Sequence, residues 1–338
     1  MSFKYSLAFA LLLSVAGCEC NKNPPVVKDD PSTKPSHANV VQPPDFSADS
    51  AYAYTQTQVN FAPRVPGTPA QMKCAAYFES FFKRLTPNVI VQQADIKIYN
   101  GKTVPCRNIF ASFNPDNPKR ILLFAHWDTR PWADRDSINP RAPLDGADDG
   151  AASAAILMEI ARLISTNPLR NVGVDIALFD VEDYGPPSFE EGKWIETDQY
   201  ALGTQYWTKN PHKPNYRAYY GILLDMCSST GARFPIEGVS AKYAPTVAQR
   251  VWSLGQSLGY GQYFVNERAN AVIDDHYYVN LHNGTPSIDV IHLSTHTAHG
   301  FAPHWHTTKD NMSVISKETM KAVGHTVLYV LYNEPPFS

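Results

Sequence analysis

The chain has 338 residues, 43% of them hydrophobic and 18% charged, a balance that supports a buried core and excludes an intrinsically disordered protein. Its formal net charge of -3, with no basic run, argues against nucleic acid as a partner. The 27 prolines and 12% aromatic residues fit long, stiff loops around aromatic pockets.

The first residues differ in character from the rest. Lys4 precedes a mostly apolar run over 7–15, which ends in Ala16-Gly17-Cys18. The run is too short to span a bilayer stably and has the form of a signal peptide over 1–17. The small residues directly before Cys18 resemble a bacterial lipobox. That resemblance implies cleavage before Cys18 and lipidation of its thiol, hence an exported protein anchored to a bacterial membrane and facing the periplasm or cell surface. Residues 18–45 are rich in Pro, Asn, Asp, Lys and Ser and read as a flexible tether. The remaining 46–338 read as one catalytic domain. Cys20, Cys74, Cys106 and Cys227 form no Cys-x-x-Cys pair, and their spacing identifies no disulfide.

Helix and strand then alternate. Residues 70–85 carry apolar side chains at helical spacing (Met72, Ala75, Phe78, Phe82) and stop before Pro87. A strand is predicted at 109–113, and buried strands at 121–125, 174–179, 221–224 and 287–293, all short apolar runs. Helices are predicted at 151–164, 246–258 and 317–332. This alternation predicts a single α/β domain with a mixed, mostly parallel central sheet flanked by helices. In such sheets ligands bind beyond the carboxyl ends of the strands.

Polar residues stand at those ends. His126-x-Asp128 follows the first buried strand, Glu182-Asp183 the second and Asp225 the third, while Asp148-Asp149 precedes the 151–164 helix. Further on come Asp274-Asp275-His276 and Trp305-His306. One such carboxylate is commonplace, but several converging on one rim repel each other unless a divalent cation joins them. Zinc suits a mixed carboxylate and histidine set, and Asp149, Asp183 and His306 leave it an open position.

These motifs, in this order, resemble the zinc-aminopeptidase clan of co-catalytic metallopeptidases over about residues 50–335. Within the clan, the Val272-Ile273-Asp274-Asp275-His276, Val290-Ile291-His292-Leu293 and Trp305-His306-Thr307 series is most similar to glutaminyl cyclases of the animal type. The resemblance implies conversion of an N-terminal glutamine to pyroglutamate with loss of ammonia. It implies Glu182 as the proton shuttle, with Asp225 and Asp274 as further catalytic carboxylates. It also implies that His292 buttresses Asp274, and that Trp194 and Trp305 line the substrate pocket. Residues 184–199 and 294–303 depart from the animal pattern, and Asp183 stands where animal enzymes carry Glu.

Three functions stay open on the sequence: a cyclase acting on peptides or proteins with N-terminal Gln, a two-zinc aminopeptidase, and a non-catalytic binding protein on the same fold. The cyclase reading favours one zinc per chain, with His126 and Asp128 supporting the site rather than binding a second ion. Asp148, Asp175, Asp180, His276, Trp127 and Trp132 read as structural. With no separate apolar interface segment, the chain is expected to be a monomer.

Overall fold

The computed structural model describes residues 40–190 and 198–337. The expected signal peptide, Cys18 and Trp194 lie outside the described residues. In chain order the elements are α1 (Ala48–Val59), α2 (Pro69–Lys83), β1 (Val89–Lys97), β2 (Thr103–Phe113), β3 (Arg120–His126), α3 (Ser153–Thr166), β4 (Gly173–Phe179), α4 (Leu202–Lys209), β5 (Tyr220–Asp225), β6 (Phe234–Ile236), α5 (Gly238–Tyr243), α6 (Pro245–Gly255), β7 (Phe264–Arg268), α7 (Asp275–Tyr278), β8 (Ser287–Ile291) and α8 (Lys317–Tyr332).

Six strands form one sheet in the order β1-β2-β4-β3-β5-β8. β3 pairs in parallel with both β4 and β5, and β5 with β8, while β1 and β2 run antiparallel at one edge. Ile121 and Leu123 enter one core and Leu122 and Phe124 the other, so β3 is buried on both faces. Val174 and Ile176 of β4 join the first core, Ala177 and Phe179 the second. This two-sided burial explains why the central strands read as continuous apolar runs.

The larger core lies under α2, α3 and α8. α2 starts on Thr68, whose side chain accepts the Gln71 N–H, with Pro69 at the first helical position. α3 is rich in Ala, Ile and Leu and is buried nearly all round, as its composition foretells. α8 occupies the predicted span and is capped by Ser316, which accepts from the Thr319 N–H.

Several boundaries differ from expectation. The folded unit begins at Val41, five residues ahead of the expected start of the domain at 46. Asn333 at the end of α8 pairs with the backbone of Val41 at 2.8 and 2.9 Å, and Phe46 is buried against Gly324. β2 begins at Thr103, earlier than predicted, because Pro105, Arg107 and Asn108 mask its apolar pattern. The predicted 287–293 strand ends at Ile291, and His292 leaves the sheet. Among the described residues, no helix is long and apolar enough to cross a membrane.

Candidate active site

The parallel register brings the ends of β3, β4 and β5 to one rim. His126 is the last residue of β3 and lies opposite Phe179 of β4, and Asp225 is the last residue of β5. A kinked turn over Ala147–Ala152, with non-helical backbone at Asp149, delivers Asp149 to the same rim ahead of α3. Gly150 is needed there: a Cβ at this position would sit 2.6 Å from both Nε2 and the backbone oxygen of His126.

His126 occupies the centre. Its Nε2 lies 2.9 Å from Asp149 Oδ1 and 3.2 Å from Asp225 Oδ1, and its Nδ1 lies 3.5 Å from Asp128 Oδ1. Burial disfavours its charge, but the surrounding carboxylates of Asp128, Asp149 and Asp225 outweigh that and push its pKa well up. Asp128 has a second task. Its carboxylate accepts the backbone N–H groups of Glu182 (3.0 Å) and Asp183 (3.2 Å), which fixes the turn after β4.

Asp149, Asp183 and His306 form a second group around the same carboxylate, with ligand-capable atoms all within 4.8 Å of one another. His306 Nε2 lies 3.2 Å from Asp183 Oδ1 and 3.6 Å from Asp149 Oδ2. Asp149 Oδ2 and Asp183 Oδ2 are buried and have no hydrogen-bond partner. Buried, unpartnered carboxylate oxygens beside an imidazole are costly on their own and fit a divalent cation with mixed oxygen and nitrogen ligands. His126, Asp149 and Asp225 form a neighbouring group within the same limit, so Asp149 belongs to both.

Two buried side chains not singled out in the sequence complete the cluster, and a third holds it from outside. Arg130 binds the Asp134 carboxylate at 2.6 and 2.8 Å, and its Nη1 donates to the backbone oxygen of Asp183 at 3.1 Å. Asp134 Oδ1 faces His306 Nδ1 at 3.4 Å, the arrangement that orients a metal-binding histidine. Asp310 accepts the backbone N–H groups of Asp148 (2.8 Å) and Asp149 (3.2 Å) and so holds the turn that carries Asp149. Arg130 and Asp134 lie in a polar loop without periodicity. Their only sequence signal is a charged pair at (i, i+4) outside any helix.

Glu182 is partly buried at the rim. Burial raises its pKa well above the carboxylate norm, the negative charges of Asp183, Asp274 and Asp275 add to the rise, and His126 opposes it. Asp225 and Asp274 are raised for the same first reason, burial. Asp274 caps the short α7 and adds its charge to that of Asp225. Trp305 stacks on His306, with ring centres 3.8 Å apart and planes 25° off parallel, and Phe301 packs on it at 4.6 Å.

Among the described residues no hydrogen bond is seen between His292 and Asp274, where one was expected; His292 Nδ1 shares a hydrogen bond with Ser229 Oγ at 3.2 Å, just past the end of β8 at Ile291. The histidine grouped with Asp274 is His276, buried between Glu237 (3.1 Å) and Asp289 (3.8 Å). Asp148 turns away from the cation group to His304 (2.9 Å) and the Ser228 N–H (2.9 Å), a structural role. Trp127 is buried edge-on to Phe78, and Cys74, Cys106 and Cys227 are buried free thiols.

This α/β sheet with a carboxylate and histidine cluster at its strand ends is that of a metallopeptidase-like protein. The chain matches Peptidase family M28 over residues 108–331 and belongs to that family. A crystal structure of Tannerella forsythia glutaminyl cyclase is 48% identical, with a TM-score of 0.84, covering 86% of this chain and 100% of that one. A Zn-dependent exopeptidase from Parabacteroides distasonis is 49% identical, with a TM-score of 0.84, covering 86% and 99%. Among curated proteins, the glutaminyl-peptide cyclotransferase of Bos taurus is 23% identical over 291 residues, 76% of this chain and 74% of that protein. The alkaline phosphatase isozyme conversion protein of Escherichia coli is 27% identical over 150 residues, so that this chain spans only 41% of its length.

Proposed function

We propose that this protein is a zinc-dependent glutaminyl-peptide cyclotransferase that converts the N-terminal glutamine of peptides and proteins to pyroglutamate and releases ammonia. The observation that carries this reading is the likeness to the Tannerella forsythia glutaminyl cyclase over the full length of that chain. Asp149, Asp183 and His306 hold the ion, and a zinc bound there supplies a Lewis acid for the γ-carboxamide oxygen.

The protein side chains do the remaining work. The substrate's α-amine attacks its own γ-carbonyl carbon, so a new C–N bond forms within one molecule as the amide C–N bond breaks. Holding the glutamine folded back on itself supplies much of the rate. Glu182, with its raised pKa, takes a proton from the amine and gives it to the departing nitrogen, which leaves as ammonia. Asp225 and Asp274 orient the amine and the leaving nitrogen. Trp305 encloses the aliphatic part of the side chain and excludes water, which would otherwise divert the reaction to hydrolysis. The contacts of His126 with Asp149 and Asp225 support a single zinc per chain, with His126 in the place of a second ion.

A second reading rests on a specific observation: His126, Asp149 and Asp225 also lie close enough to hold a second ion, as a two-zinc aminopeptidase requires. One experiment separates the two. The zinc-loaded protein is incubated with a Gln-initiated peptide, the products are followed by mass spectrometry and the metal is counted. Loss of ammonia from an otherwise intact chain with one zinc supports the cyclase; release of a whole residue with two zincs supports the aminopeptidase.

Export and anchoring belong to the same proposal. Cys18 carries a lipid that tethers a monomeric enzyme to a bacterial membrane, facing the periplasm or cell surface, where it caps exported proteins bearing N-terminal glutamine. The apolar run that ends in Ala16-Gly17-Cys18 supports this. Cys18→Ser should release the protein from the membrane fraction, and retention there would refute the lipid anchor.

A further inference from the structure

A cavity of about 1420 Å³ opens beside the candidate active site and is not accounted for by the cation cluster or by the glutamine side chain. One wall is the exposed stretch from Glu267 through Ile273, which runs directly into Asp274. The facing wall is the loop from His292 to Phe301, and its rings close on the catalytic end: His299 and Phe301 pack against Trp305 at 4.9 and 4.6 Å. One end of the groove is therefore flanked by Asp274 and Trp305, two residues placed against the substrate. The volume exceeds the ~300–1,000 Å³ that serves a small ligand.

A peptide whose first residue is held at the cluster must send the rest of its chain out of the pocket. The groove adjoins that pocket through Ile273, next to Asp274, and through Phe301, packed on Trp305. Its near end is apolar, since Ile273 lies half-exposed at 52% beside Asp274. Earlier along the same stretch the wall carries charge. Arg233 is paired with Glu267 at 2.5 Å, whereas Arg268, exposed on the same wall, has no ion-pair partner among the described residues. The wall therefore carries one unmatched full charge, and it is positive.

We propose that this groove binds the substrate chain beyond its N-terminal residue as an extended peptide, and that Arg268 makes it favour an acidic side chain there over a basic one. The assignment rests on the cyclase reading for the identity of the first residue. It adds a subsite for the second and later residues of the peptide. An apolar second residue suits Ile273, and a carboxylate further along suits Arg268.

The test uses Gln-initiated peptides of two to five residues, with Glu or Lys at the third and fourth positions, on the zinc-loaded enzyme and on Arg268→Glu. Lengthening the peptide is expected to lower KM. Glu-bearing peptides should exceed Lys-bearing ones in kcat/KM by about two- to fivefold, the size of a largely solvated ion pair. Arg268→Glu should reverse that order and leave turnover of the glutaminyl dipeptide amide unchanged. The same peptides with a C-terminal dye, followed by fluorescence anisotropy, report binding independently of turnover. Affinity indifferent to both length and Arg268→Glu overturns the groove even if cyclisation is intact. Length- and charge-dependent affinity without any cyclisation overturns the catalytic reading and leaves the groove standing.

Discussion

The guanidinium of Arg130 and the carboxylate of Asp134 meet in a two-point contact of 2.6 and 2.8 Å, with both side chains shut away from solvent. Burial alone would raise the Asp134 pKa, but Arg130 and His306 outweigh it and hold the carboxyl far below its usual range. Asp134 can thus face His306 as a permanent anion, while Arg130 offsets part of the negative charge of Asp183. Arg130→Met leaves that anion buried without its partner, which costs about 3–5 kcal/mol of stability. Zinc affinity should also fall about 10- to 100-fold through loss of ligand orientation. Urea unfolding and competition with a chromogenic chelator measure the two effects separately. Unchanged zinc affinity in a folded variant would remove Arg130 and Asp134 from the metal site.

Glu182 and Asp183 are adjacent but have different tasks, because Asp128 pins both backbone N–H groups and fixes the turn that presents the side chains. Asp183 joins the cation group and Glu182 does not. Glu182→Gln should therefore lower kcat by about 10²–10⁴-fold, the usual contribution of a general acid-base group, with the zinc content intact. Asp183→Ala should lose the metal itself. Metal analysis beside steady-state rates reads both. A Glu182→Gln protein that lacked zinc would show that the two roles had been assigned wrongly.

Elements were legible in the sequence to the extent that their signal was local. The central strands and α8 stood out because two-sided burial and a long amphipathic stretch leave dense patterns. α1 did not: its Ala, Ser, Thr, Gln and Tyr residues give a weak apolar stripe, and it is held by packing on α3 and α8. The cation group Asp149, Asp183 and His306 does assemble as expected, since Asp183 lies just beyond a strand end and Asp149 at a helix entry, where chemistry gathers in such sheets. Arg130, Asp134 and Asp310 were missed because their links to Asp183, His306 and the Asp148-Asp149 turn join loops remote in sequence. His292, expected inside a strand over 287–293, lies just beyond Ile291, where β8 ends, and its Nδ1 pairs with Ser229.

Behind the site, Glu237 supplies a pH-sensitive share of stability. Burial raises its pKa, but His276 and the N–H groups of Val239 and Ser240 at the start of α5 outweigh this and bring it down to about 2 from 4.5. A depressed acid stabilises the fold above its unfolded pKa. That share is complete above about pH 4.5 and is lost as pH falls through about 2. At about 1.36 kcal/mol per unit, it amounts to about 3 kcal/mol. Denaturant unfolding of the wild type and Glu237→Gln should therefore show a stability gap near neutrality that narrows steadily between pH 4.5 and 2. A gap constant over that window would mean that the carboxylate contributes only packing.

The close fit of Gly150 against His126 at the rim makes Gly150→Ala a test of how rigid the rim must be. The added methyl would meet Nε2, Cε1 and the backbone oxygen of His126 at 2.6 to 2.7 Å. The imidazole alone cannot relieve this, because the backbone oxygen belongs to the last residue of β3, a strand paired on both sides within the sheet. The turn over Ala147–Ala152 must yield instead, and it carries Asp149, whose backbone is held by Asp310. The substitution should cost about 1–3 kcal/mol from overpacking. It should also weaken zinc binding, by displacing Asp149 from Asp183 and His306. Calorimetry and zinc titration of Gly150→Ala check this, with Gly261→Ala as a control in which the nearest side-chain atom to the added methyl is 3.9 Å away. If Gly150→Ala binds zinc as the wild type does, the turn accommodates the methyl without moving Asp149, and the close fit around His126 is not required for the metal site.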